Sequence, residues 1–314
     1  MDAGSIREVR VRVPASSGNL GPGFDALGMA YAIHDEVTAM VSPAAVPAAP
    51  RTEVTVTGEG AGELPLNDSH LVVRAMRRTF EVNGVPQPDI TLACVNTIPH
   101  GKGLGSSAAA VIAGILAARA YLPKPNDYVV PQILATALEF EGHPDNIAPA
   151  LLGGAVAAWV EGGQPKAAVI EVAKGVAPVL LVPEAVLPTT TARAVLPESV
   201  PFADAAFNAG RAALMVAALA SQPEHLLAAS ADKLHQDNRA SSMPESVRLV
   251  AQLREAGFAA MVSGAGPTVL VLGAPGAKSA EWSRRLAEIT PAGWRVLNPQ
   301  IDRQGAIAAP IFHT

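Results

Sequence analysis

One residue in 314 is cysteine, Cys94, and aromatic side chains make up only 4% of the chain. A single thiol rules out an intrachain disulfide framework, and with no histidine placed beside it Cys94 reads as a small core residue of the alternating stretch DITLACVNTIP. An excess of positive charge is also missing. The 23 Lys and Arg are outnumbered by 28 Asp and Glu, so nothing suggests the basic face of a nucleic-acid binder, and any phosphate must be recognised locally. No uninterrupted apolar run approaches the ~20 residues of a membrane span. The opening MDAGSIREVRVRVPASS alternates charge with valine and lacks the apolar centre of a secretory signal, so the reading is of a cytoplasmic protein with no membrane or nucleic-acid partner. Coiled-coil heptads, internal repeats and an acidic tail are absent as well.

What the chain does have is 49% apolar composition, enough for a sizeable core, in a length that suggests two domains. The change in rhythm along the sequence puts these at residues 1–171 and 172–314. REVRVRV at 7–13 and TEVTVTGEG from Thr52 alternate with period two and predict strands, separated by a Pro/Ala loop at 43–50. NDSHLVVRAMRRTFEVNG predicts a helix capped by Asp68 or Ser69. In the second half, FNAGRAALMVAALA, HLLAASADKLH, VRLVAQLREAG and EWSRRLAEIT read as helices, and APVLLVP and MVSGAGPTVLVLG as strands, so the fold class is α+β.

The feature that carries chemistry is PHGKGLGSSAAAVIAG, residues 99–114, between the predicted strand DITLACVNTIP and a small-residue helix. Gly101, Gly103 and Gly105 remove side chains at alternate positions, so backbone N–H groups can approach an anion, and the helix that follows adds its positive end. A Gly-rich turn with an N-capping serine explains one glycine and one serine but not this spacing. Ser106 and Ser107 stand where a hydroxyl can cap the helix or reach a phosphate-bound cation. Lys102 precedes the last glycine, so the loop is not a Walker A segment, and the spacing is not that of a dinucleotide fingerprint.

The stretch resembles the P-x-x-x-G-L-G-S-S-A-A loop of the GHMP kinases, among them galactokinase, mevalonate kinase and homoserine kinase. VPASSGNLGPGFDALGMA (13–30) and MVSGAGPTVLVL (261–272) are similar to the family's first and third motifs, so the resemblance spans nearly the whole length. EGHPDNIAPALLGG (141–154), TTTARAVLP (189–197) and LHQDNRA (234–240) look like the homoserine kinase branch, whereas sugar and mevalonate kinases usually carry PSG-x-D where HPDN stands here.

The resemblance implies a ribosomal-protein-S5-domain-2-like N-terminal domain and a ferredoxin-like α+β sandwich at the C-terminus. It implies ATP held by Pro99, His100, Gly101, Lys102, Gly103, Leu104, Gly105, Ser106, Ser107, Ala108 and Ala109. Mg²⁺ would be bound by Ser106, Ser107 and Glu141, with Glu139 as the other carboxylate choice. L-homoserine, in threonine biosynthesis, would be held by Asn19, Asp25, His143, Asn146, Arg193 and Arg239, the two guanidinium groups gripping its carboxylate. Asn146, Asp25 and Ser107 are the expected catalytic groups, with Asn146 where other branches place an aspartate. Because phosphoryl transfer is loose, positioning suffices without an enzymic base, although Asp145 stands next to it as an alternative. A homodimer is implied by family habit alone. Another alcohol substrate, or a ligand sensor on the same fold, is the competing expectation.

Overall fold

The alternation that begins the chain does not stop at Pro14. In the computed structural model, which describes residues 8–46, 49–274 and 279–311, strand β1 runs Glu8–Gly18, and its register slips between Pro14 and Ala15. Proline has no ladder donor, so it belongs at such an irregularity. Arg7, the first residue of the expected strand, and residues 47 and 48 of the expected Pro/Ala loop lie outside the described residues. The chain continues through β2 (Leu27–Ser42), β3 (Thr52–Gly58), helix α1 (Leu71–Val82), β4 (Asp89–Asn96), α2 (Ser106–Ala120), α3 (Val130–Glu141), α4 (Ile147–Leu152), β5 (Ala155–Glu161) and β6 (Gln164–Ile170). Then follow β7 (Ala177–Val182), α5 (Thr189–Ala194), α6 (Phe202–Ala220), α7 (Leu226–Ala229), α8 (Pro244–Glu255), β8 (Ala259–Val262), β9 (Val269–Gly273), α9 (Ala280–Ile289), β10 (Arg295–Leu297) and β11 (Ile307–Ile311).

Two sheets result. The first has the order β11-β1-β2-β4-β3, with the β5–β6 hairpin attached to β2, and is antiparallel except for the β3–β4 pair. The second runs β10-β7-β9-β8, antiparallel throughout. Counting its strands in chain order gives 4-1-3-2, the ferredoxin-like arrangement. The segment 171–172 falls between β6 and β7, and β11 returns from beyond it to pair with β1.

Val9, Val11 and Val13 send their side chains to the buried face of the first sheet, each contributing on the order of 2 kcal/mol. α2 crosses that face and is buried from Ala108 to Ala118 except at Ala110. Gly114 lets α1 pass close against it: a Cβ there would stand 2.3 Å from the Val72 carbonyl oxygen. The N-terminus of α2, and with it the glycine loop, is thereby fixed.

Three local expectations shift. The cap of α1 is His70, because the Asn67 side chain accepts from the Ser69 N–H and ends the preceding turn one residue later. The helix expected over HLLAASADKLH stops at Ala229, since the Asp232 carboxylate accepts from the N–H groups of Leu234, His235 and Gln236. Such a side-chain turn competes with helix. IAPALL, after HPDN and with no helical period, forms α4. Among the described residues one helix, α6, is long and apolar enough by length and composition to cross a membrane. Within it Asn208 donates to the Pro22 carbonyl at 2.7 Å, and its side-chain oxygen accepts from the Lys233 N–H at 3.1 Å.

Candidate active site

The glycine loop leaves β4 and enters α2 through Gly101, Gly103 and Gly105, whose φ angles are +63°, +72° and +68°. L side chains rarely adopt this left-handed backbone. Space is short as well: a Cβ on Gly103 would lie 2.2 Å from the Ser263 carbonyl oxygen, and one on Gly105 the same distance from Ser16 Oγ. Gly105 caps α2 with no side chain bonded to the first turn. The helix's opening N–H groups therefore keep their capacity for an anion.

Neighbouring elements brace this loop. Leu104 accepts from the Ser16 N–H at 3.0 Å, Gly103 from Ser263 Oγ at 2.6 Å, and Gly101 from the Leu187 N–H at 2.9 Å. Lys102 directs Nζ to the carbonyls of Pro183 and Glu184, at 2.7 and 3.0 Å, and so ties the loop to the chain leading into α5. Ser107 Oγ hydrogen-bonds Glu141, whose carboxyl is raised above its usual range by burial. Glu139 points elsewhere, to Arg78 at 2.7 Å.

From this loop a cavity of about 370 Å³ extends to a charged end built on β1, α4, α5 and the turn after β8. Asp145, 1% exposed, accepts from the Asn19 N–H at 2.9 Å through one oxygen, and His143 Nδ1 stands 2.7 Å from the other. That bond holds the His143 pKa above the ordinary imidazole value. Asn146 Oδ1 accepts from Ser16 Oγ at 3.1 Å. Arg193 forks both oxygens of Asp25 and lies over the Phe24 ring. Arg239 is nearly fully buried, donating to the carbonyls of Ala192 and Gly264 and to His235 Nδ1, each at 3.1 Å. Burial, then the nearby Arg193, lowers its pKa. Ligating atoms of Asp25, His143 and Asp145 fall within 4.8 Å of one another.

Most of the residues singled out in the sequence meet on this cavity: Asn19, Asp25, His100, Gly101, Lys102, Gly103, Gly105, Ser106, Ser107, Ala108, Ala109, Glu141, His143, Asn146, Arg193 and Arg239. Pro99 and Leu104 are buried away from its wall. Asn19 lines it, but with its polar atoms engaged by protein: Oδ1 accepts from the Asp25 N–H and Nδ2 donates to Gly264. It shapes the motif-one turn, in which Asn19 and Asp25 both adopt positive φ. Sequence reasoning missed Asp35 and His70, which also line the cavity. Neither sits in a recognisable motif.

A glycine cradle at a helix N-terminus, a Ser–Glu oxygen pair and a charged pocket in one cavity define an ATP-dependent small-molecule kinase. The chain matches the GHMP kinases N terminal domain over residues 70–154 and the GHMP kinases C terminal domain over 215–289. It is 48% identical over 300 residues to a homoserine kinase of Clavibacter michiganensis, covering 96% of this chain and 93% of the relative. To one of Leifsonia xyli it is 49% identical over 302 residues, covering 96% and 92%. The crystal structure of homoserine kinase from Cytophaga hutchinsonii superposes with a TM-score of 0.80 at 24% identity, covering 96% of this chain and 98% of that one. The chain belongs to the homoserine kinase family of the GHMP kinases, and its fold is the α+β, two-domain one that the motifs imply.

Proposed function

We propose that the protein transfers the γ-phosphoryl group of ATP to the hydroxyl of L-homoserine, giving O-phospho-L-homoserine for threonine biosynthesis. The observation that carries this reading is the Asp25–Arg193 ion pair at the end of a cavity that begins at the phosphate loop. A zwitterionic amino acid fits that pair by exchange. Its ammonium takes Asp25, beside His143, while its carboxylate takes the released Arg193 fork, with Arg239 fixed behind it. The side-chain hydroxyl then points along the cavity towards Asn146 and the γ-phosphate.

Asp145 is buried and holds the Asn19 N–H through one oxygen and His143 through the other, which supports its assignment to orienting the pocket over acting as a base. Catalysis rests on alignment and on backbone N–H groups that meet the phosphate charge. The Ser107 hydroxyl and Glu141 carboxylate, with Ser106 adjacent, form a hard-oxygen donor set that fits Mg²⁺, which when bound neutralises phosphate charge. The division at residues 171 and 172, cytoplasmic residence, a homodimer and the absence of membrane or nucleic-acid partners belong to the same proposal.

A coupled ADP-release assay over homoserine, mevalonate, galactose and shikimate tests it. Turnover with homoserine at least 100-fold above the other alcohols is expected. No turnover of homoserine refutes the substrate, and no ADP with any alcohol favours a sensor.

A further inference from the structure

Behind the charged part of the cavity lies a buried group that the proposed reaction does not use. His235 stands four positions before Arg239 in LHQDNRA, is 1% exposed, and has one partner on each ring nitrogen. Nδ1 faces Arg239 Nη1 at 3.1 Å, and Nε2 faces the Gly21 carbonyl oxygen at 2.7 Å. A guanidinium only donates and a carbonyl only accepts. One arrangement satisfies both: a neutral ring with its proton on Nε2 and its lone pair on Nδ1. An imidazolium would set donor against donor and two cations side by side. Burial favours the same state and lowers the His235 pKa. The Asp232 carboxylate, 3.7 Å from Nε2, pulls the other way, but its oxygens already accept from the N–H groups of Leu234, His235 and Gln236.

That lone pair decides how Arg239 is presented. Nε of Arg239 donates to the Ala192 carbonyl, and Nη1 is shared between His235 Nδ1 and the Gly264 carbonyl. Nη2 makes no hydrogen bond among the described residues, and Arg239 lines the cavity. Phe24 completes the layer. Its ring centre lies 5.3 Å from that of His235, with the guanidinium carbons of Arg193 and Arg239 at 5.3 and 5.9 Å. Cation–π attraction thereby holds near each other two charges that otherwise repel. Gly21 and Phe24 belong to the turn that carries Asn19 and Asp25. One imidazole therefore joins that turn to the second arginine.

We propose that His235 is a positioning residue for amino-acid recognition: its neutral ring holds the Asp25 turn through Nε2 and Arg239 through Nδ1, so that Arg239 Nη2 faces the substrate carboxylate. This rests on the amino-acid reading of the cavity and adds to it a residue that touches no substrate.

Two substitutions separate the two bonds. His235→Asn places a side-chain oxygen near the position of Nδ1 and keeps the acceptor for Arg239. His235→Gln reaches the position of Nε2 and keeps the donor for Gly21 but loses that acceptor. The homoserine KM should stay within about threefold of wild type in His235→Asn and rise about tenfold or more in His235→Gln, with the ATP KM within about threefold in both. The reverse order, or equal rises, overturns the proposal. In an Arg239→Met background the two variants should agree within about twofold, because the group being positioned is gone. A difference as large as that seen with Arg239 present overturns it too. Wild type answers separately should neither variant fold. ¹⁵N NMR of histidine-labelled protein between pH 6 and pH 8, with His235 assigned through its contact with Phe24, should show the Nε2–H tautomer throughout; an imidazolium or an Nδ1–H ring overturns the proposal. If wild type turns over homoserine and these outcomes fail, the positioning role alone is lost. No homoserine turnover by wild type removes the substrate reading and this role with it.

Discussion

Two parts of the cavity are built by opposite means. At the glycine loop the groups on offer are backbone N–H groups, and the sequence contributes chiefly the absence of side chains, at Gly101, Gly103 and Gly105. At the charged part, proposed to take the amino acid, the polar groups are side chains: a guanidinium fork on a carboxylate, an imidazole on a buried aspartate, and a second arginine held by carbonyls. Backbone recognition tolerates no Cβ and has few intermediate states. Side-chain recognition can be weakened in steps, and its charges already pair with one another before any substrate arrives.

The largest expected effect strikes the backbone end. Gly103→Ala puts a methyl group against the Ser263 carbonyl in a left-handed backbone and should lower kcat/KM by 10³-fold or more, with nucleotide affinity lost in direct titration. Nucleotide affinity equal to wild type would erase the contrast. Next comes Arg193→Met, for which the homoserine KM should rise about 100-fold, ~3 kcal/mol, while the ATP KM stays within about threefold. Equal rises in both constants would mean that the two ends are one unit. Asp145→Asn should raise the homoserine KM about tenfold by loosening His143 and leave kcat within about threefold. A kcat loss of about 10³-fold, ~4 kcal/mol, would make Asp145 a base after all.

The smallest effect sharpens the comparison at Asp35, a buried carboxylate that makes no ion pair among the described residues. Burial pushes Asp35 up to about 6, above an ordinary carboxylate. The folded state therefore holds this proton more tightly than the unfolded chain does. Stability from Asp35 is full below pH 4 and declines as pH rises through 6. Thermal melts of wild type and Asp35→Asn should show the wild type losing on the order of a few °C relative to the variant between pH 4 and pH 7. A constant difference would mean that water or a ligand screens the carboxylate.

The contrast also explains what was readable in the sequence. Alternate glycines followed by a small-residue helix dictate their own backbone, so PHGKGLGSSAAA announces the left-handed loop and the helix after it without any knowledge of what surrounds them. Side chains are another matter, because their partners are distant. Asp25 and Arg193 lie 168 positions apart and both appear in motifs, yet their direct pairing was not foreseeable from either. Lys102 stands among the phosphate-loop residues, but its ammonium finds the Pro183 and Glu184 carbonyls some 80 positions on. Asp35 looks like the solvent face of a strand in YAIHDEVT, and His70 like a helix-cap neighbour. Only the packing of α2 against both β2 and α1 brings the two to one cavity. α4 was invisible for a different reason: six residues with two of them proline-adjacent carry no helical period to detect.

β1 supplies Ser16 and Ser17 to the site, yet its outer neighbour in the sheet is β11, with Glu8 opposite Ile311. During synthesis β1 can pair with β2 early, but its other edge stays uncovered until β11, about 300 residues further on, has been made. The strand that braces the candidate site is thus sealed into its sheet long after it has itself been made.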